Sequence, residues 1–133
     1  KQITDLKVID FDCGKSHIGI LTRKGNLYMH GRNKELQCNG NDPFNKIITN
    51  DEIISIKCGN LHNIVKINLY NKIKYRAFGC NYHGQLLLNS CNTDSVGTMI
   101  NVSIKFIHRL TENDKSIIDL IPGYNTTYVL QHW

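Results

Sequence analysis

Three stretches of this chain are copies of one another, and that repetition constrains the fold more than any other property of the sequence. Val8-Ile-Asp-Phe-Asp-Cys-Gly14 is followed by Lys15-Ser-His17. Ile53-Ile-Ser-Ile-Lys-Cys-Gly59 is followed by Asn60-Leu-His62. Ile117-Ile-Asp-Leu-Ile-Pro-Gly123 is followed by Tyr124-Asn-Thr126. Their apolar positions superpose as Ile9, Phe11, Cys13, then Ile54, Ile56, Cys58, then Ile118, Leu120, Pro122. Strict alternation that ends at a glycine predicts a half-buried strand.

A second strand follows in each copy, with Ile20, Val65 and Val129 at one shared position. Turns are predicted at Arg23–Asn26 and Leu69–Lys72, where Gly25 and Asn71 can take the positive φ of a tight hairpin. Third strands, Leu27–His30 and Ile73–Phe78, run into Gly31 and Gly79. Both full copies then read Gly-x-Asn-x-x-x-Gln, from Gly31 through Asn33 to Gln37 and from Gly79 through Asn81 to Gln85. Fourth strands are predicted near Lys46–Thr49 and Met99–Leu110.

The landmarks Gly14, Gly59 and Gly123 lie 45 and then 64 residues apart. The surplus falls in the second copy's hairpin and in the connection after Gly79, so insertions respect strand boundaries, as in a true repeat. Composition agrees: 18 isoleucines against a single alanine, Ala77, favour strand over helix. Four short antiparallel strands in each repeat of roughly 50 residues describe a β-propeller blade.

At this level of detail the chain resembles the RCC1 (regulator of chromosome condensation) repeat. The second copy carries the likeness most fully, in Cys58-Gly59, His62, Gly79, Asn81 and Gly84-Gln85-Leu86. The departures are specific. His30 and Phe78 stand where the family has Trp, Leu36 replaces the first glycine of Gly-Gln-Leu-Gly, Leu87 replaces the second, and the third copy has Pro122 and Thr126 in place of Cys and His. The resemblance implies an all-β partial propeller in one repeat region, 1–133. The first blade is expected at about 3–50, the second at about 51–112 and half of a third at about 113–133. A family ring has seven blades, so about two and a half imply part of a larger ring, in a chain that opens on Lys1.

Each chemically tempting residue has a structural reading. His17 and His62 recur once per repeat, which suits a packing group bonded to nearby backbone better than a catalytic one. Gly14, Gly59 and Gly123 read as points of close backbone approach. Cys13 and Cys58 lie on the alternating apolar face and read as small core residues; that placement argues against nucleophilic pairs of Cys13 with His17 or Cys58 with His62. Cys80-x-x-His83, even with Cys91, lacks a second pair at zinc-ligand spacing. The alternating Lys72, Lys74 and Arg76 read as a solvated outer face, with phosphate contact as the other option. No catalytic residue, metal or cofactor is expected.

The net charge of +5 is spread evenly, without a basic arm for nucleic acid or membrane, and no apolar run approaches 18 residues. Five cysteines without a leader peptide imply free thiols and an intracellular site, nuclear or cytoplasmic; the sequons at Asn101 and Asn125 are then chance matches. The resemblance implies an interaction or scaffold module without catalysis, its open edges covered by further blades or a protein partner. The alternatives are a fragment of a guanine-nucleotide exchange factor for a small GTPase, or a chromatin- or nucleic-acid-associated propeller. Exchange in that family depends on a protruding loop that is not matched here.

Overall fold

The computed structural model describes residues 7–38, 45–88, 94–102 and 117–131. Within them the chain is all-β, with ten antiparallel strands in three sheets and no helix. The first sheet has the order β1 (Val8–Cys13), β2 (His17–Thr22), β3 (Leu27–Gly31), β4 (Asn45–Lys46). The second repeats it with β5 (Glu52–Cys58), β6 (His62–Leu69), β7 (Lys72–Gly79), β8 (Val96–Asn101). The third is the pair β9 (Ile117–Pro122) and β10 (Thr127–Gln131).

The registers repeat as the strands do. Cys13 faces Ile18, Cys58 faces Asn63, and Pro122 faces Thr127; His17 faces Gly31, and His62 faces Gly79. The β6–β7 hairpin closes on Tyr70 and Asn71, with φ of 50° and 61°. Two consecutive positive φ values match the right-handed twist of the flanking strands. The first hairpin uses a four-residue loop with Gly25 at φ 82°. The extra residues of the second copy therefore lengthen its strands, not its turn.

Two boundaries and the phase of one strand differ from the sequence expectation. β4 is only Asn45–Lys46, because the ladder stops where β3 begins, at the bond from Ile47 N–H to the Leu27 carbonyl (2.8 Å). β8 starts at Val96, since β7 offers partners down to Gly79; the predicted continuation over 103–110 lies outside the described residues. A bulge between Ile53 and Ser55 shifts the phase of β5, so Ile53 is buried and Ile54 is exposed, the reverse of strict alternation.

The sheets meet face to face, through β1 and β2 against β5, then β5 and β6 against β9. The apolar core lies in these two seams. One holds Leu21, Leu27, Met29 and Cys38 of the first sheet against Ile53, Ile56, Val65 and Phe78 of the second. The other holds Ile64, Ala77, Leu86 and Val102 of the second against Leu120 of the third, with Val129 packed alongside.

Candidate functional site

The residues that recur in every repeat converge on the seams. Gly14 N–H bonds the His17 carbonyl (2.8 Å), Gly59 N–H that of His62 (2.7 Å) and Gly123 N–H that of Thr126 (2.8 Å), giving three matching tight turns. The turns stack across the sheets: Lys15 N–H donates to the Asn60 carbonyl (3.0 Å) and Asn60 N–H to the Gly123 carbonyl (3.2 Å). A β-carbon on Gly14 would strike the His17 ring and fall 2.5 Å from the Gly59 carbonyl oxygen. One on Gly59 would strike the His62 ring and fall 2.6 Å from the Gly123 carbonyl oxygen. Crowding, not a left-handed φ, is the reason for glycine at both places. At Gly123 the ring close by is Tyr128.

The imidazoles turn toward the next sheet. His17 Nε2 lies 2.8 Å from Asn63 Oδ1, and Asn63 Nδ2 donates back to the Gln37 carbonyl (2.8 Å). His62 Nε2 lies 3.0 Å from Thr127 Oγ1, and that hydroxyl donates to the Gln85 carbonyl (2.7 Å). Since Asn63 and Thr127 spend their donors on carbonyls, each offers an acceptor to the ring, which fixes the Nε2–H tautomer in both histidines. Each clasp ties a histidine and a glutamine carbonyl of one sheet to a single polar side chain of the next. The Nε2 partner is thus a side chain across the seam, where backbone was expected; His62 also bonds backbone, that of Thr126. Sequence reading missed Asn63 and Thr127; their one visible signal is that both hydrogen-bond at the position after the histidine.

Both imidazoles are buried, and each Nδ1 is buried without a hydrogen-bond partner. Burial lowers the His17 pKa against the opposing Asn63 bond and Asp12 charge. It pushes His62 down to about 4, against a smaller pull from the Thr126 backbone. Burial raises the Cys38 thiol to about 11, and burial with the Asp12 charge raises Cys58 further. Neutral rings bonded across the seam and protonated thiols do not form a cysteine nucleophile and its base.

Asn33 and Asn81 place Oδ1 on the N–H of Cys38 (2.8 Å) and Leu86 (3.1 Å). Gln37 and Gln85 place Oε1 on the N–H of Glu35 (3.0 Å) and His83 (2.9 Å). The Gly-x-Asn-x-x-x-Gln segments are therefore self-bonded loops whose glutamine carbonyls face the next sheet. Gly31 and Gly79, at φ 120° and 112°, leave room for the backbone at His17 and His62. Gly84 has φ 72°, and Leu36, standing where the family has glycine, keeps that conformation at φ 61°.

Further bonds run along the first strand of each sheet. Asp10 Oδ2 accepts from Ile56 N–H (3.1 Å), and Asp12 Oδ2 accepts from Cys58 N–H (2.8 Å). At the next seam Lys57, the repeat equivalent of Asp12, forms an ion pair with Asp119. A shallow cleft of about 260 Å³ opens where the three turns meet, between Lys15, Asn60 and Tyr124.

Several candidates stand apart from the seams. Cys13 is exposed, against the expectation of a core residue, because among the described residues no sheet packs on the face it shares with Phe11; Cys58 is buried as expected. Arg76 is held by Asp51, Nε to Oδ2 at 2.7 Å and Nη2 to Oδ1 at 3.2 Å, so it is not available for phosphate in the Lys72–Lys74–Arg76 stripe. Cys80 is buried, and among the described residues no three acidic, cysteine or histidine side chains cluster as metal ligands; Cys91 lies outside those residues. Among the described residues no helix is long and apolar enough to cross a membrane.

The two outward faces are apolar. On the first sheet, turned away from the second, Val8 is 55% and Phe11 64% exposed; a bulge between Val8 and Asp10 matches that of β5 and puts Val8, the counterpart of Ile53, on this face. On the third, also turned away from the second, Tyr128 is 62% and Leu130 46% exposed. The equivalents of Phe11 within the structure, Ile56 and Leu120, are buried at the two seams.

No family model matches the chain, and no curated protein matches it in sequence. Solved structures do match its fold. Human WBSCR16 superposes with a TM-score of 0.73 at 15% identity, over 98% of this chain and 33% of that one. Prp20p from Saccharomyces cerevisiae, described with its binding to Gsp1p and histones, gives 0.73 at 15%, over 98% and 32%. Yeast RCC1 (Prp20) bound to Kap60 gives 0.72 at 14%, over 98% and 29%. The fold is that of an RCC1-like propeller in part: the chain spans about a third of the length of the structures it matches.

Proposed function

We propose that the chain is a non-catalytic propeller segment that works as a protein-interaction or scaffold module, with further blades or a protein partner covering its open faces. The observation that carries this reading is the pair of apolar faces, Val8 and Phe11 at one end, Tyr128 and Leu130 at the other. Contiguous apolar surface of this kind marks an interaction site. The recurring polar residues support it as well. His17, His62, Asn33, Asn81, Gln37 and Gln85 are all occupied in holding loops and seams together, which leaves no separate catalytic group among them.

The test is a photo-crosslinking residue at Phe11, with one at the hairpin tip Tyr70 as control, in cells making the protein. A discrete protein adduct from position 11 and none from position 70 is expected. Equal labelling from both sites would end the reading.

A second reading, a fragment of an exchange factor or a histone-associated propeller, is favoured by the likeness to Prp20p, which is described with Gsp1p and histones. Release of labelled guanine nucleotide from small GTPases separates the two. The scaffold reading expects an unchanged rate on adding the chain, and a clear acceleration would replace it with the exchange reading.

A further inference from the structure

The seams follow a rule that the two outward faces complete. At the first seam His17 meets a polar side chain, Asn63, and at the second His62 meets Thr127. The matching pair from the third sheet to the first is Thr126 with Ile18: the imidazole is missing on one side, and the polar group to hold it is missing on the other.

The same reciprocity holds along the first strands. Asp12 provides an acceptor, and Cys58 provides the N–H that it binds (2.8 Å). Lys57 provides none, and its counterpart Pro122 has no N–H. Ile121 also provides none, and its counterpart Cys13 already gives its N–H to its own neighbour, Asp12 Oδ1 (3.0 Å). At these two positions a polar group lost on one end of the chain has its partner lost or satisfied on the other, and Asp119, the counterpart of Asp10, is held by Lys57 and by the Leu120 N–H (2.9 Å). Around them lies apolar surface, Val8 and Phe11 at one end and Tyr128 and Leu130 at the other.

We infer that a second copy of this chain docks head to tail, the outward face of its third sheet (Ile121, Tyr128, Leu130) on the outward face of the first sheet (Val8, Phe11, Ile18). A further repeat of the His17 and His62 type would instead bury its Nε2–H against Ile18 without an acceptor, which is unfavourable. Two strands are enough to seat such a face: β9 and β10 already dock on the second sheet without third and fourth strands described beside them. The interface is heterologous, so one copy's tail engages the next copy's head and leaves a free head and tail at the ends. The proposal deepens the scaffold reading by naming the occupant of its open faces.

The test exploits that polarity. Phe11→Lys disables the head, and Ile121→Lys disables the tail. Both positions are exposed, Phe11 at 64% and Ile121 at 40%, so the monomer fold is retained, which circular dichroism checks. In sedimentation velocity the unaltered chain is expected to grow with concentration in the micromolar range. Each variant alone is expected to stay monomeric. Their equimolar mixture is expected to form a dimer and nothing larger, because one intact head and one intact tail remain. If either variant loses its fold, Val8→Lys and Tyr128→Lys serve in its place. An unaltered chain that stays monomeric at high micromolar concentration overturns the inference, as does a mixture that stays monomeric or variants that assemble like the parent. None of these results touches the scaffold reading, which a cross-link from position 11 to a different protein would sustain.

Discussion

At the scale of the residue, His62 shows how a repeat converts one side chain into a stability term. Its ring is fully buried, its Nε2–H is bonded to Thr127, and its Nδ1 has no hydrogen-bond partner, so charging the ring is opposed chiefly by burial. The folded state thus holds its pKa near 4, against 6.5 for the exposed ring. The sign follows directly. As pH falls below 6.5 the unfolded chain takes up the proton first, so stability is full above that pH and declines until the folded ring titrates near 4. At about 1.4 kcal/mol per unit, the loss between pH 7.5 and 5 is about 2 kcal/mol from this ring, and His17 shifts in the same direction. Urea unfolding at the two pH values checks it. His62→Gln is expected to remove most of the difference while lowering stability at pH 7.5. A parent protein whose midpoint is flat over this range would refute the account.

At the scale of the element, the seam clasp is the unit that links strands of different sheets. Asn63→Ala leaves the Nε2–H of His17 and the carbonyl of Gln37 without partners in a buried place. Two such groups cost about 1–3 kcal/mol each, so a loss of about 3 kcal/mol is expected from Asn63→Ala alone. His17→Ala should be less harmful in the Asn63→Ala background than in the parent, with a coupling of about 1–2 kcal/mol in a double-mutant cycle. Additive effects would show that the two side chains do not share a bond. The strands were legible in the sequence, because alternation and glycine landmarks are local signals repeated in each copy. The bulge at Ile53–Ser55 was not, since one extra residue shifts the inward face without changing the residue types. Cys13 was misread for a related reason. Its place in the repeat matches Cys58, but burial depends on having a sheet in front, and the first sheet has none described there. Asn63 and Thr127 escaped because their shared property is hydrogen-bonding capacity at a fixed register, not identity.

At the scale of the whole molecule, the main packing of each sheet among the described residues is on its sequence neighbours, so stability is approximately a sum of sheet and seam contributions. The second sheet is seamed on both faces, the first and third on one each. The third has two strands described against four in the others, and its outward face carries Tyr128 and Leu130 in solvent. The least costly opening is therefore separation of β9–β10 from β5–β6, which breaks the His62–Thr127–Gln85 clasp and the Lys57–Asp119 pair while leaving the first seam closed. Native-state hydrogen exchange reads this order. Amides of Ile64 and Val65, in the middle of the doubly seamed sheet, are expected to exchange slowest, close to global unfolding. Those of Leu120 and Val129 are expected to exchange through a smaller opening, and Thr127→Val should speed them while leaving Ile20 and Gly19 unchanged. Head-to-tail docking adds a signature of its own, because it covers the third sheet. Slower exchange at Val129 with rising protein concentration, lost in Ile121→Lys, belongs to a seam between copies. Uniform protection across all three sheets would mean that the chain opens only as a whole, and the account of separable seams would then be wrong.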